Sequence, residues 1–167
     1  MRSLLRQVGE RVRKAYADGN DRPLGGYVAV LGTYGSVVGL LSVLARVRGT
    51  RLPQRLDAGD TVLLTIATHK ASRLLAKDSV TSPLRAPFTR YEEPAGVGEL
   101  NESVRGTGVR HAAGELVTCP LCLSVWVATG FSAGLVFAPR ATRLLLTTLT
   151  AIAGSDALHL AYDRAKP

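Results

Sequence analysis

Two long stretches of the chain lack acidic, basic and histidine side chains. Leu24 to Ala45 (LGGYVAVLGTYGSVVGLLSVLA) runs for 22 residues, and Leu116 to Ala138 (LVTCPLCLSVWVATGFSAGLVFA) runs for 23. At a rise of about 1.5 Å per residue, roughly 20 apolar residues cross the ~30 Å hydrocarbon layer of a bilayer. Buried helices of water-soluble proteins seldom exceed about 14 residues without a charged position, so both stretches are predicted to span a membrane.

Two further segments are apolar but interrupted. Thr61 to Ala76 (TVLLTIATHKASRLLA) begins apolar and then acquires His69, Lys70 and Arg73, which would extend to one interface. Ala141 to Tyr162 (ATRLLLTTLTAIAGSDALHLAY) carries Asp156 and His159 beyond a short uncharged core. Three residues apart, that pair shares one helical face and marks either a proton path or the polar end of the helix. The favoured reading is an all-α, polytopic helical membrane protein with about four spans. Its rival has two spans and two amphipathic or re-entrant helices.

Ahead of the first span, Leu4, Leu5, Val8, Val12 and Tyr16 fall on one helical face, and Arg2, Arg6, Arg11, Arg13 and Lys14 surround it. Residues 1–22 thus read as a basic amphipathic helix, lying on an anionic lipid surface or against a partner. The apolar run starts too late, and without a small-residue cleavage site, for a signal peptide. Residues 23–167 form the membrane domain, with a loop at about 78–114. The Gly- and Glu-rich stretch 90–113 has no hydrophobic period and is predicted to be a loop. Its glycines do not make a phosphate loop, since no Gly-Lys-Ser/Thr follows them.

Composition agrees with this division. The chain is 46% hydrophobic yet has 21 Lys and Arg against 13 Asp and Glu, a net charge of +8, and its mean hydropathy is still +0.13. Whole-chain disorder is excluded by that apolar content, and a disulfide scaffold by having only two cysteines. The cations lie at membrane flanks and aromatics are 5% of the chain, so no nucleic-acid partner is expected. With four spans, the N-tail, the 78–114 loop and the C-tail share one side. Together with Lys77 they hold thirteen Lys and Arg against six opposite, which puts both termini in the cytoplasm.

Helices in lipid associate through close backbone approach. Gly32, Gly35 and Gly39 in the first span and Gly130 and Gly134 in the third are the expected packing positions. So short a chain with such stripes is expected to form a homo-oligomer or to join a larger membrane complex.

Chemistry concentrates in two places. Cys119-Pro120-Leu121-Cys122 puts two thiols near a helix N-terminus, where the local potential lowers thiol pKa. The pair suits thiol–disulfide exchange, half of a metal site, or simply a Pro-initiated helix. No cofactor is called for. Zinc needs about four ligands, so it would require His111, Glu115 and His69 beside Cys119 and Cys122, or a second copy. The other place is His69, Arg73 and Lys77, an i, i+4 cationic stripe, followed by Arg85 between Pro83 and Pro87. The prolines are expected to end the helix near Asp78 and to present Arg85 on an extended strap. These four side chains would either anchor the chain at the interface or bind a phosphate or lipid headgroup.

The run His69…Arg73…Asp78…Thr81…Pro83…Arg85…Pro87-Phe88, with Gly114-Glu115…Thr118-Cys119-Pro120…Cys122…Trp126, resembles an uncharacterised family of small bacterial membrane proteins, domain of unknown function 1360. The resemblance covers about 58–160. It implies a multi-pass protein of the bacterial inner membrane and no particular reaction, and it places both chemistry-bearing stretches in one site near the cytoplasmic interface. The leading expectation is a noncatalytic membrane anchor or accessory subunit. A thiol-redox or metal-binding protein and a small-solute transporter are the alternatives.

Overall fold

A computed structural model describes residues 7, 9–12, 15, 16, 22–50, 52, 53, 55 and 57–166. Of the expected N-terminal helix, residues 7, 9–12, 15 and 16 are helical and exposed; the remainder lies outside the described residues. The elements that follow are α1 (Leu24–Val47), α2 (Ala58–Lys77), the single turn α3 (Ser82–Arg85), β1 (Thr89–Gly96), β2 (Glu99–Val104), α4 (Gly108–Thr118), α5 (Pro120–Phe137) and α6 (Pro139–Ala165).

Three of these helices, α1, α5 and α6, are long and apolar enough to cross a membrane. They correspond to the first, third and fourth predicted segments. The second, α2, has the length but not the composition. Asp60, His69, Lys70, Arg73 and Lys77 fall within it, and at hydrocarbon depth each charge must find a partner or reach an interface.

α2 packs along both α5 and α6. Small side chains make the close approach possible: Ala67, Ala71, Ser72 and Ala76 are all buried. The apolar centre is Ala67 with Leu135 of α5 and Leu146 of α6, flanked by Leu63, Leu64, Phe131 and Leu149. α5 and α6 are joined through Ala138 alone, and Pro139 in the first turn of α6 starts the new helix. At that corner Gly134 faces Thr142, whose hydroxyl oxygen would lie only 2.6 Å from a Cβ there. α1 packs chiefly on α4 and touches α5 more lightly. Its Tyr34 ring stands edge-on to Trp126 at 5.2 Å, and the Tyr34 hydroxyl is 2.9 Å from that of Thr129.

Three expectations are corrected. The 90–113 loop contains a two-stranded antiparallel hairpin, so the fold is helical with a small sheet rather than all-α. β1 faces solvent along nearly its whole length, which removes the apolar alternation that would announce a strand. Its two register shifts fall at Tyr91/Glu93 and Pro94/Gly96, and a strand tolerates proline at such irregularities. Gly98, at φ +77°, supplies the left-handed residue of the turn.

The strap after Asp78 is not extended throughout: Pro83 occupies the first turn of α3, where its missing N–H costs no helical bond. Finally, the third apolar segment is two elements. Pro120 holds Cys119 extended, at φ −103° and ψ 105°, so Leu116 to Thr118 end α4 and α5 begins at Pro120.

Candidate functional site

The cap at the hairpin end of the bundle is organised around Arg85. α2 stops where Asp78 turns extended, and the Asp78 carboxylate accepts the Val80 N–H at 2.8 Å, turning the chain back. Thr81 follows, donating its hydroxyl to the Leu74 carbonyl at 2.7 Å. One turn of α3 then carries Arg85 inward, leaving its side chain 1% exposed.

Each nitrogen of the guanidinium has a partner. Nε donates to Glu102 of β2, one Nη to the Leu75 carbonyl at 2.9 Å and to Thr81 Oγ1 at 2.7 Å, and the other Nη to the Asp78 carbonyl at 3.0 Å. Glu102 is itself 5% exposed, and Thr89 donates its hydroxyl to the Arg85 carbonyl at 3.0 Å. A buried ion pair recovers its desolvation penalty only when further hydrogen bonds support it, and here both Nη atoms are bonded outside the ion pair.

Outside this hub, Arg73 grips both oxygens of Glu99 at 2.7 Å, and the Ser79 N–H reaches the Gly98 carbonyl at 2.8 Å. The hairpin turn is thereby tied to the end of α2. α4 covers β2, and Gly114 makes this possible, because a Cβ there would meet Val104 and the Phe88 carbonyl. Arg110 reaches back to the Pro87 carbonyl at 3.0 Å.

The predicted anion-binding quartet is therefore distributed differently. Arg85 and Arg73 are held by Glu102 and Glu99, His69 is exposed, and Lys77 is half-buried. Nothing local in the sequence distinguishes the partner carboxylates from the other glutamates of the stretch. Glu99 and Glu102 sit three apart in a stretch without periodicity, and only the hairpin register aims Glu102 inward.

Two more ion pairs join α2 to α6. Asp60 takes a two-pronged contact from Arg143 at 2.8 and 2.7 Å, and Lys70 meets Asp156 at 2.6 Å. Asp156 is thus a structural partner of α2.

The thiols lie where α4 passes into α5. Cys119 acts as N-cap, its sulfur accepting the Cys122 N–H at 3.2 Å. Cys122 is exposed on the wall of a cleft of about 370 Å³ between α1, α4 and α5. Tyr27, Tyr34 and Trp126 supply its aromatic surface, and Glu115 the carboxylate at its mouth. Arg22 approaches Glu115 at 3.3 Å and His111 approaches it at 3.4 Å. Hydrogen bonding to Tyr27, reinforced by Glu115, raises the Arg22 pKa and keeps its charge.

Among the described residues, no three His, Cys, Asp or Glu side chains gather as a metal-binding group. The zinc set of Cys119, Cys122, His111, Glu115 and His69 is not assembled; only Cys119 with Cys122 and His111 with Glu115 meet. The packing glycines also separate. A Cβ at Gly32, Gly35, Gly39 or Gly130 would meet nothing within 4 Å, and of the five only Gly134 touches a neighbouring helix. Gly26 is the close contact on α1, set against the Gly108 carbonyl and Ala112. The aromatic cleft has a faint sequence signal: Tyr27 and Tyr34 are seven apart on one face of α1, and the chain has a single Trp.

Comparison with known proteins covers most of this architecture. The sequence profile of the family described as "Protein of unknown function (DUF1360)" matches residues 63–162. The sporulation protein YjcA of Bacillus subtilis (strain 168) is 36% identical over 96 residues, which is 56% of this chain and 80% of that relative. No solved structure matches significantly. The matched span includes the Arg85 hub, both cysteines and nearly all of α6, and begins after α1.

Proposed function

This chain belongs to the DUF1360 family, whose function is unknown, and from that premise we propose that it is a noncatalytic integral membrane anchor or accessory subunit of a larger membrane assembly. In this reading α2 crosses the bilayer with the other three helices, its 20 residues matching their depth. The protein resides in a bacterial inner membrane with both termini in the cytoplasm. The relative's name extends the proposal to spore formation where the source organism forms spores.

The observation that carries the proposal is the internal use of Arg85. A guanidinium with donors on Glu102, Leu75, Thr81 and Asp78 is engaged in building rather than in binding. What it builds is a rigid cap at one end of the bundle, and the hairpin stands out from that cap with Tyr91 and Val97 exposed. A membrane protein that holds an exposed hairpin in one fixed pose is equipped to present a surface to a partner, either another copy or a different subunit.

Photocrosslinking tests this directly. A photoreactive residue in place of Val97 is expected to yield one discrete adduct in native membranes. Arg85→Gln is expected to abolish the adduct while leaving the chain in the membrane fraction. Absence of any adduct from both Val97 and Tyr91, or an adduct indifferent to Arg85→Gln, overturns the proposal.

A further inference from the structure

We infer that the cleft between α1, α4 and α5 binds one phospholipid whose zwitterionic head carries a phosphate and a primary ammonium. The argument begins with the order of polarity along the cleft. Glu115 lines its polar end, and Arg22 stands just outside, 3.3 Å from that carboxylate. Tyr27 comes next on α1, then Leu31, then Tyr34 against Trp126 at the far end. From Tyr27 to Tyr34 the helix advances about 10 Å. An amphiphile seated here would have its head at the mouth and its chain among the rings, the orientation it already holds in a bilayer.

The volume, about 370 Å³, lies at the lower end of the roughly 300–1,000 Å³ usual for ligand sites. It suits one upper chain segment rather than a whole lipid. The cleft is also open on the hydrocarbon side, since Leu31 is 70% and Val125 is 51% exposed. A lipid can therefore enter laterally.

The walls are pre-set. Gly26 lets α1 meet the Gly108 carbonyl and Ala112 closely, which fixes the mouth. The Tyr34–Thr129 contact at 2.9 Å fixes the far end. Such preorganisation separates a site from ordinary lipid contact, because the cost of ordering is met by folding rather than by binding.

Charge complementarity selects the head. A mouth where the Glu115 carboxylate is flanked by the Arg22 guanidinium and the His111 ring presents donors for phosphate and an acceptor for ammonium. The existing Arg22–Glu115 contact is long and solvent-exposed, a class worth little by itself, so insertion of a dipolar head between the two forfeits little. A quaternary ammonium offers Glu115 no N–H, and a glycerol head offers it no cation. The inference uses only the membrane placement of α1 and α5, so it can fail while the accessory-subunit reading stands, and the reverse.

Trp126 is the single tryptophan and serves as the reporter. The protein is reconstituted in phosphatidylcholine vesicles containing a minor fraction of lipid with brominated chains, the head being ethanolamine, choline or glycerol in turn. Brominated ethanolamine lipid is expected to quench Trp126 several-fold more than either of the others at equal fraction. Glu115→Gln is expected to remove that advantage, and Tyr27→Phe to leave the fold intact while reducing it. Equal quenching by all three heads marks plain annular contact and overturns the inference. Preference for the glycerol lipid also overturns it, in favour of an anion site formed by Arg22 and His111.

Discussion

At the residue scale, Arg85 is the position where substitution should do most. Removing one partner of a buried, hydrogen-bonded ion pair costs about 3–5 kcal/mol because the other charge is stranded. Arg85→Gln should therefore loosen the cap by about that amount, seen as accelerated hydrogen exchange in β2. Arg85→Lys should rescue little, since an ammonium cannot reach Glu102, Leu75, Thr81 and Asp78 together. The cysteines differ in kind from Arg85. Cys119 caps α5 through its sulfur, so Cys119→Ala should lose about 1 kcal/mol of thermal stability in detergent, whereas Cys119→Ser should retain most of it. The residues carrying the family resemblance were thus legible, but their task was not. Arg85 and His69 look equally available in the sequence, and the difference between an inward and an outward side chain arises only from the α3 turn.

At the scale of elements, two junctions set the architecture. Where α4 lies on β2, Gly114 leaves no room for a side chain: a Cβ would come within 2.5 Å of Val104 Cγ1. Gly114→Ala should lift α4 from the hairpin at a cost of about 1–3 kcal/mol, the range of an overpacked core, with the largest change in exchange at β2 amides. Along the bundle, Asp60–Arg143 and Lys70–Asp156 set α2 parallel to α6. Asp60→Arg should lower the melting temperature of the detergent-solubilised protein, and Arg143→Asp in the same chain should recover much of the loss. Failure of that double exchange would show that helix packing alone fixes the register. The α2 charges looked like interfacial anchors in the sequence, because periodicity reports a residue's face and not the identity of the neighbouring helix.

At the scale of the molecule, the helices place two surfaces at opposite ends. The hairpin, α4 and the C-terminal end of α6 share one end. Arg48 over the Phe137 ring and the α5–α6 corner mark the other. Single cysteines introduced at Val97 and Arg48, after Cys119→Ser and Cys122→Ser, should react with an impermeant maleimide from opposite faces of sealed vesicles. With the cytoplasmic orientation proposed, Val97→Cys labels in inverted vesicles and Arg48→Cys in right-side-out ones. Labelling of both from one face would contradict the spanning arrangement. Labelling in the reversed sense would contradict only the orientation, which rests on cation counts.

The apolar runs of α1, α5 and α6, and the interruption of α2 by charge, follow from the sequence alone, because transfer to hydrocarbon depends on local composition summed over some 20 residues. The break at Cys119 was local too, since proline constrains only its immediate neighbour. Tertiary structure decided the rest: the solvent-facing hairpin, the inward aim of Arg85, the Glu102 and Glu99 partners, and the aromatic cleft opposite Glu115. Each joins residues distant in sequence or depends on which face a neighbouring element covers. Such facts are absent from any periodic pattern and appear only when the elements meet.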